Sequence, residues 1–147
     1  EGVPFAEHPK AVAALLKSIV DPSEKAVAAA LLHDTVEDTG LELEDIESRF
    51  GKPVAGLVEE LTTDKEKRDK FGKAEYLGYK MAEMSDTALT IKLCDRYHNV
   101  HKIDETPDDF RTRYSRETKK TLSILFENRD LTNTQRYIAT KILEKVS

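Results

Sequence analysis

The chain has 147 residues, 39% hydrophobic and 35% charged, with 23 Lys+Arg against 28 Asp+Glu and a formal net charge of -5. That length predicts a single domain over residues 1–147, burying roughly two-thirds of its extended-chain surface, while the acidic balance excludes a sequence-wide nucleic-acid footprint. One cysteine excludes an intrachain disulfide framework and a cysteine-built zinc site, and no apolar run approaches the roughly 20 residues that cross a bilayer.

No internal repeat, low-complexity tract or Pro/Gly/Ser-rich linker divides the chain, and the dominant period is helical. His8 to Val20 places Val12, Leu15, Leu16 and Ile19 on one helix face, with His8 at the mouth of that helix, just before Pro9. Asp21-Pro22-Ser23-Glu24 reads as a helix start, with Asp21 as the capping acid, Pro22 at the first helical position and Glu24 near the third. The helix it opens is predicted through Ala26 to about Asp34, and the alanines from Ala26 to Ala30 suit close packing against other helices. Leu43 to Phe50 reads as a short helix ended by Gly51, and Pro53 to about Leu61 as another, with Val54, Leu57, Val58 and Leu61 on one face. Residues 63–72 are polar and charged and are predicted as a loop. Gly72 to Met84 is amphipathic, and Asp86 is the candidate cap of a long helix through Ile91, Leu93 and Val100. Pro107 to about Asn128 carries Tyr114, Thr118, Leu122 and Leu125 on a stripe, and Thr132 or Asn133 caps a last helix holding Tyr137, Ile138, Ile142 and Leu143. No window alternates as a strand. The expected fold is an all-α bundle of seven or eight helices.

Three polar clusters stand out from this apolar pattern. In His33-Asp34-Thr35-Val36-Glu37-Asp38, His33 and Asp34 project about 100° apart on a helix, and His33–Glu37 and Asp34–Asp38 are each four apart. Three carboxylates and an imidazole on one flank repel one another unless something positive sits among them. A divalent metal would supply it; a solvated acidic helix end has the same spacing. Asp95 sits in an otherwise apolar turn, where an Asp is rarely buried unless ligated or paired, here with Arg96 or a neighbouring Lys. Asn99 follows one turn later on the same face. His8 could point across a cleft or be a surface residue. Together His8, His33, Asp34 and Asp95 make two imidazoles and two carboxylates without a thiolate, a donor set that favours Mn, Fe, Mg or a catalytic Zn over structural Zn. Glu37 and Asp38 would be left to hold or deprotonate a metal-bound water.

The order His8…His33-Asp34…Asp95 resembles the four-part signature of the HD superfamily of metal-dependent phosphohydrolases. The local words are narrower. Pro4-Phe5-x-x-His8-Pro9 with Val12-Ala13, then Ala30-Leu31-Leu32-His33-Asp34-x-x-Glu37-Asp38-Thr39, then Ile91-Lys92-Leu93-Cys94-Asp95-Arg96-x-x-Asn99 are similar to the hydrolase domain of the RelA/SpoT family, its small stand-alone members included. Phe50-Gly51-x-x-Val54-x-x-Leu57-Val58 and Leu61-Thr62 add to the likeness, which runs from residue 2 to residue 102 and is fainter at Tyr114 and Glu117-Thr118.

That resemblance implies an HD-type helical bundle and Mn-dependent removal of the 3′-pyrophosphate from guanosine tetra- and pentaphosphate. It implies His8, His33, Asp34 and Asp95 as ligands of one Mn ion, Glu37 and Asp38 as the residues that position or activate the attacking water, and Asn99 as part of the nucleotide site. It also implies a basic segment upstream of the first His, whose Arg packs on guanine; that segment would precede Glu1. The synthetase half of the long bifunctional members needs a second domain, for which 147 residues leave no room. The expected partner is a small-molecule nucleotide, not nucleic acid or membrane. Residues 1–10, with two Glu, one Lys and two Pro, do not read as a signal peptide, so a soluble cytoplasmic protein is expected, its oligomeric state open. Two other functions stay open: the same site acting on another phosphorylated nucleotide, such as the 2′-phosphate of NADPH, and a nucleotide-sensing domain without turnover.

Other residues carry two readings each. The mixed-charge run from Thr62 to Lys70 is a solvated loop, or a place where Lys65, with Lys70 or Lys73, meets substrate phosphates. Arg96 holds a metal-ligating carboxylate in place or forms a surface pair. Cys94 is expected in the core, Tyr114 in the core or reaching the nucleotide, and the His98/His101 pair is not expected to bind metal.

Overall fold

A computed structural model describes residues 3–34, 36 and 39–147, with side chains from residue 7 onward. The described residues form nine α-helices and one 3-10 turn, with no strand among them. In chain order these are α1 (Val3–Ile19), α2 (Glu24–Leu32), α3 (Leu43–Phe50), α4 (Lys52–Leu61), α5 (Lys65–Phe71), α6 (Lys73–Glu83) and α7 (Asp86–His101). The 3-10 turn (Ile103–Glu105), α8 (Asp108–Asn128) and α9 (Asn133–Val146) follow. The all-α class is the one the periodicity predicts. No described helix is long and apolar enough to cross a membrane.

Three local expectations are corrected. Residues 63–72, predicted as a loop, contain α5. Its N-terminus is capped by the Asp64 carboxylate, which accepts the Lys67 N–H at 3.2 Å, and Gly72 at φ 94° ends it. None of its side chains is buried, so it carries no apolar stripe for periodicity to find. The cap of α2 is Ser23, not Asp21: the Ser23 hydroxyl accepts the Ala26 N–H at 3.1 Å, and Pro22 stands ahead of the cap. Helix α1 begins at Val3, which puts Pro9 inside it and His8 in its second turn, not at its mouth. Proline there forgoes one helical hydrogen bond, and the covered face that follows, with Val12 and Leu16 at 0% and 2% exposure, holds the helix down regardless.

The helices group into two compact units, Glu1–Thr63 with Asp86–Asp95, and Asp64–Ser85 with Arg96–Ser147. In the first, α2 packs on α1 and α4, and α3 packs on α4. The buried Ala26, Ala29 and Ala30 make α2 thin enough for close approach. Ile46, Val54, Val58, Leu61, Leu89 and Ile91 are among the larger buried side chains of this unit. Each such side chain contributes about 1.5–3 kcal/mol by leaving water.

In the second unit, α6 packs on α5 and α8, and α9 packs on α8. The Thr121 hydroxyl donates to the Ala74 carbonyl at 3.2 Å. The Arg129 guanidinium donates to the carbonyls of Ala82, at 3.1 Å, and Met84, satisfying acceptors that the end of α6 leaves over. A capping box starts α9: the Thr132 hydroxyl accepts the Gln135 N–H at 3.1 Å, and the Gln135 side-chain oxygen accepts the Thr132 N–H at 3.0 Å.

Gly78 of α6 lies where α8 comes closest. A Cβ there would stand 2.8 Å from the Ile124 Cβ and 3.0 Å from the Thr121 carbonyl oxygen. Alanine is the better helix former by about 1 kcal/mol, but overpacking costs about 1–3 kcal/mol. Gly78→Ala is therefore expected to lower Tm by about 3–5 °C in a thermal melt; a higher Tm would mean that α6 and α8 have room between them.

Candidate metal centre

Three helices of the first unit bring the predicted cluster together. His8 comes from α1, His33 and Asp34 from the C-terminal end of α2, and Asp95 from α7. His33 is the C-cap of α2, with helical φ -62° and ψ -23°. Its Nδ1 lies 2.6 Å from the Ala30 carbonyl oxygen. A carbonyl only accepts, so Nδ1 carries the hydrogen and Nε2 is left with its lone pair turned inward. The helix end thereby satisfies one of its spare carbonyls and orients a ligand at once.

Both imidazoles converge on one carboxylate oxygen. The Nε2 atoms of His8 and His33 lie 2.5 and 3.2 Å from Asp95 Oδ1. Asp34 Oδ2 lies 3.3 Å from His33 Nε2 and 4.0 Å from His8 Nε2. The two rings meet edge to face, with centroids 5.4 Å apart. Among the described residues, His8, His33 and Asp95 form the group whose ligand atoms all lie within 4.8 Å of one another.

The chemistry of this donor set fits a cation. A neutral imidazole Nε2 and a carboxylate oxygen are both acceptors, so their contact needs either a proton or a metal ion between them. Burial alone would pull the His33 pKa down; the hydrogen bond and charge of Asp95, with the charge of Asp34, outweigh it and raise the value. Burial would likewise raise Asp95. The Lys92 ammonium, 3.1 Å from Asp95 Oδ2, and the two imidazoles outweigh that too, and the carboxyl is held well below its ordinary range. Asp95 therefore stays ionised in a side chain only 7% exposed, while Asp34, at 35%, gives the cluster its open side.

The remaining predicted residues are placed as follows. Glu37 and Asp38 lie outside the described residues. Asn99 is half-buried on α7, one turn beyond Asp95, and Lys65 is exposed at the start of α5; both belong to the second unit. Lys70 and Lys73 are exposed, the Lys70 ammonium 5.4 Å from the Phe71 ring centre. Cys94 is fully buried, and burial, helped by the Asp95 charge, pushes its thiol up to about 12, so it is a protonated core residue as expected. Tyr114 is buried in the core. Among the described residues, Arg96 takes an aromatic and a hydroxyl partner: its guanidinium stands 4.8 Å over the Tyr114 ring and donates to the Thr118 hydroxyl at 3.5 Å. The His101 ring packs on Tyr97, centroids 4.4 Å apart. Of the two pairing partners the sequence offered for Asp95, Arg96 or a neighbouring Lys, the structure gives the Lys, Lys92; the Ala30 carbonyl was not singled out. Lys92 and Ala30 each stand three residues before the group they serve, a one-turn spacing.

A family model described as HD domain matches residues 1–130, and this chain belongs to that family. The family implies a divalent metal, and the His/Asp cluster is a possible seat for it. The chain is 37% identical over 127 residues to a probable guanosine-3′,5′-bis(diphosphate) 3′-pyrophosphohydrolase of Synechocystis, and 41% identical over 130 residues to the bifunctional (p)ppGpp synthase/hydrolase SpoT of Escherichia coli. These alignments cover 80% and 84% of this chain but only 16% and 18% of those longer relatives. Among solved structures, a metazoan ortholog of SpoT described as hydrolysing ppGpp superposes with a TM-score of 0.78 at 28% identity, covering 96% of this chain and 80% of that one. A Listeria monocytogenes protein at 22% identity and TM-score 0.75, covering 95% of this chain and 90% of that one, shares the fold.

The two displaced pKa values give the metal-free protein a pH signature. A His raised in the folded state stabilises it below the ordinary value of about 6.5, and that contribution is lost as pH rises through the raised value. A lowered Asp contributes above about pH 4 and loses its contribution as pH falls through the lowered value. In chelator-treated protein, Tm is expected to fall as pH rises past the ordinary histidine value of about 6.5, less so in Asp95→Asn, and a divalent ion at the higher pH to restore it. A flat profile that ignores added metal would remove the cation from the account.

Proposed function

We propose that this chain hydrolyses the 3′-pyrophosphate of guanosine tetra- and pentaphosphate, using one Mn ion held by His8, His33, Asp34 and Asp95. The observation that carries this reading is the convergence of two imidazole Nε2 atoms on Asp95 Oδ1, with the Asp34 carboxylate within 4.0 Å of both. The names of the relatives support the substrate; the mixed N/O donor set without thiolate suits Mn, Fe, Mg or a catalytic Zn, and the family resemblance selects Mn among them. The location that goes with a nucleotide substrate is the cytoplasm.

A bound divalent ion would supply charge to polarise the phosphoryl oxygen and lower the pKa of water towards neutrality. The protein's own residues do the rest. His33, locked by the Ala30 carbonyl, and Asp95, locked by Lys92, form a rigid inner wall. Asp34 borders the open side, where substrate and water enter. Glu37 and Asp38 follow Asp34 closely in sequence and take the proton of the attacking water. Water adds to the phosphorus attached to the 3′-oxygen, that P–O bond breaks, the oxygen leaves as the 3′-hydroxyl with one proton, and pyrophosphate departs. Asn99 and Lys65 contact the nucleotide.

The test is product release from guanosine tetraphosphate, with NADPH alongside, after chelation and with or without added Mn. Pyrophosphate from the guanosine nucleotide with Mn alone is the expected result. Orthophosphate from NADPH alone would move the site to another substrate, and silence on both with metal bound would make the chain a binding domain. Glu37→Ala is expected to keep the metal and lose about 10²–10⁴-fold in turnover, whereas Asp34→Ala loses metal and turnover together.

A further inference from the structure

We propose that Lys92 is a positioning residue that reserves the outer oxygen of Asp95, so that the carboxylate offers an ion Oδ1 alone and the site favours Mn over Ca. This rests on the metal-centre reading above. The two oxygens of Asp95 have different partners: Oδ1 faces His8 Nε2 at 2.5 Å and His33 Nε2 at 3.2 Å, while Oδ2 is ion-paired with Lys92 Nζ at 3.1 Å. Lys92 stands one turn before Asp95 on α7, and the two side chains are only 14% and 7% exposed. An ion pair sheltered from water is screened far less than one on the open surface. An ion that drew Oδ2 inward as a second ligand would have to break it and leave the ammonium partly buried without its anion.

The consequence is selectivity. With Oδ2 engaged, Asp95 and Asp34 give single oxygens and the histidines single nitrogens. Ca takes six to eight oxygens and readily uses a carboxylate through both. Mn accepts imidazole nitrogen and fewer protein ligands. Lys92 acts here as more than a neutralising charge, because it determines which oxygen of Asp95 the ion meets.

The experiment compares the unaltered chain with Lys92→Met and Lys92→Arg. Mn and Ca affinities are measured by calorimetry, and Co(II) is loaded as a spectroscopic probe whose visible bands respond to coordination number. The unaltered chain is expected to prefer Mn; Lys92→Met should shrink that preference by about tenfold or more as Asp95 becomes free to bind through both oxygens, and should weaken the Co(II) bands. Lys92→Arg, which keeps charge and donors, should restore both. A folded Lys92→Met chain with the same preference and the same Co(II) spectrum would reduce Lys92 to charge neutralisation and overturn the proposal. Failure of the unaltered chain to bind any of the three ions would instead overturn the metal-centre reading beneath it. If Lys92→Met does not fold, a crystal structure of the Mn complex of the unaltered chain decides: Asp95 Oδ2 on Lys92 Nζ supports the proposal, and Oδ2 on Mn ends it.

Discussion

A carboxylate as deeply buried as that of Asp95 costs several kcal/mol unless charges and donors replace the water it loses. Here they come from three directions. Lys92 approaches along the same helix, His8 from α1 and His33 from the end of α2. The carboxylate stays ionised beside Lys92, but its contact with the two imidazoles is favourable only while a cation remains among them, whether proton or metal. This one requirement links the packing of the first unit to its chemistry, because α1, α2 and α7 must each hold their register for the cluster to form.

The alanines of α2 have their meaning here. Ala26, Ala29 and Ala30 let α2 pack closely on its neighbours, and the last of them also supplies the carbonyl that orients His33. The helix ends where its spare carbonyl is most useful. An imidazole fixed at Nδ1 and presenting Nε2 needs no rearrangement to receive an ion, which lowers the ordering cost of binding. Asp34, next in sequence and about one-third exposed, stands between this fixed wall and solvent. That gradient runs from buried Asp95 to the more accessible Asp34, a sheltered back and an open front.

Much of this centre was legible in the sequence because its residues break the local pattern. Asp95 interrupts an apolar run, and His33-Asp34 closes a string of alanines and leucines; in both places a polar side chain appears where helical periodicity demands an apolar one. The partners that make those residues work were harder to read. A neighbouring Lys was open as a partner of Asp95 only beside Arg96, since spacing alone does not choose between them, and the Ala30 carbonyl has no side-chain signature at all. Helix α5 escaped notice for the opposite reason: with none of its side chains buried, only the Asp64 cap and Gly72 mark its ends. The beginning of α1 was masked by Pro9, which reads as a helix start but lies within the helix. The roles of Glu37, Asp38 and Asn99 rest on the sequence and its resemblance, and that of Lys65 on the mixed-charge run alone, since the first two lie outside the described residues and Asn99 and Lys65 belong to the second unit.

The central claim is that the oxygen of Asp95 shared by two imidazoles is a seat for one divalent ion. Titrating Mn into the chelator-treated chain near neutral pH, with free Mn followed by electron paramagnetic resonance, tests it most directly. The account predicts that one ion per chain is withdrawn from solution, and that His33→Asn and Asp95→Ala, checked for retained helix by circular dichroism, withdraw none. An equal uptake by the unaltered chain and both folded variants would place the ion elsewhere and contradict the account.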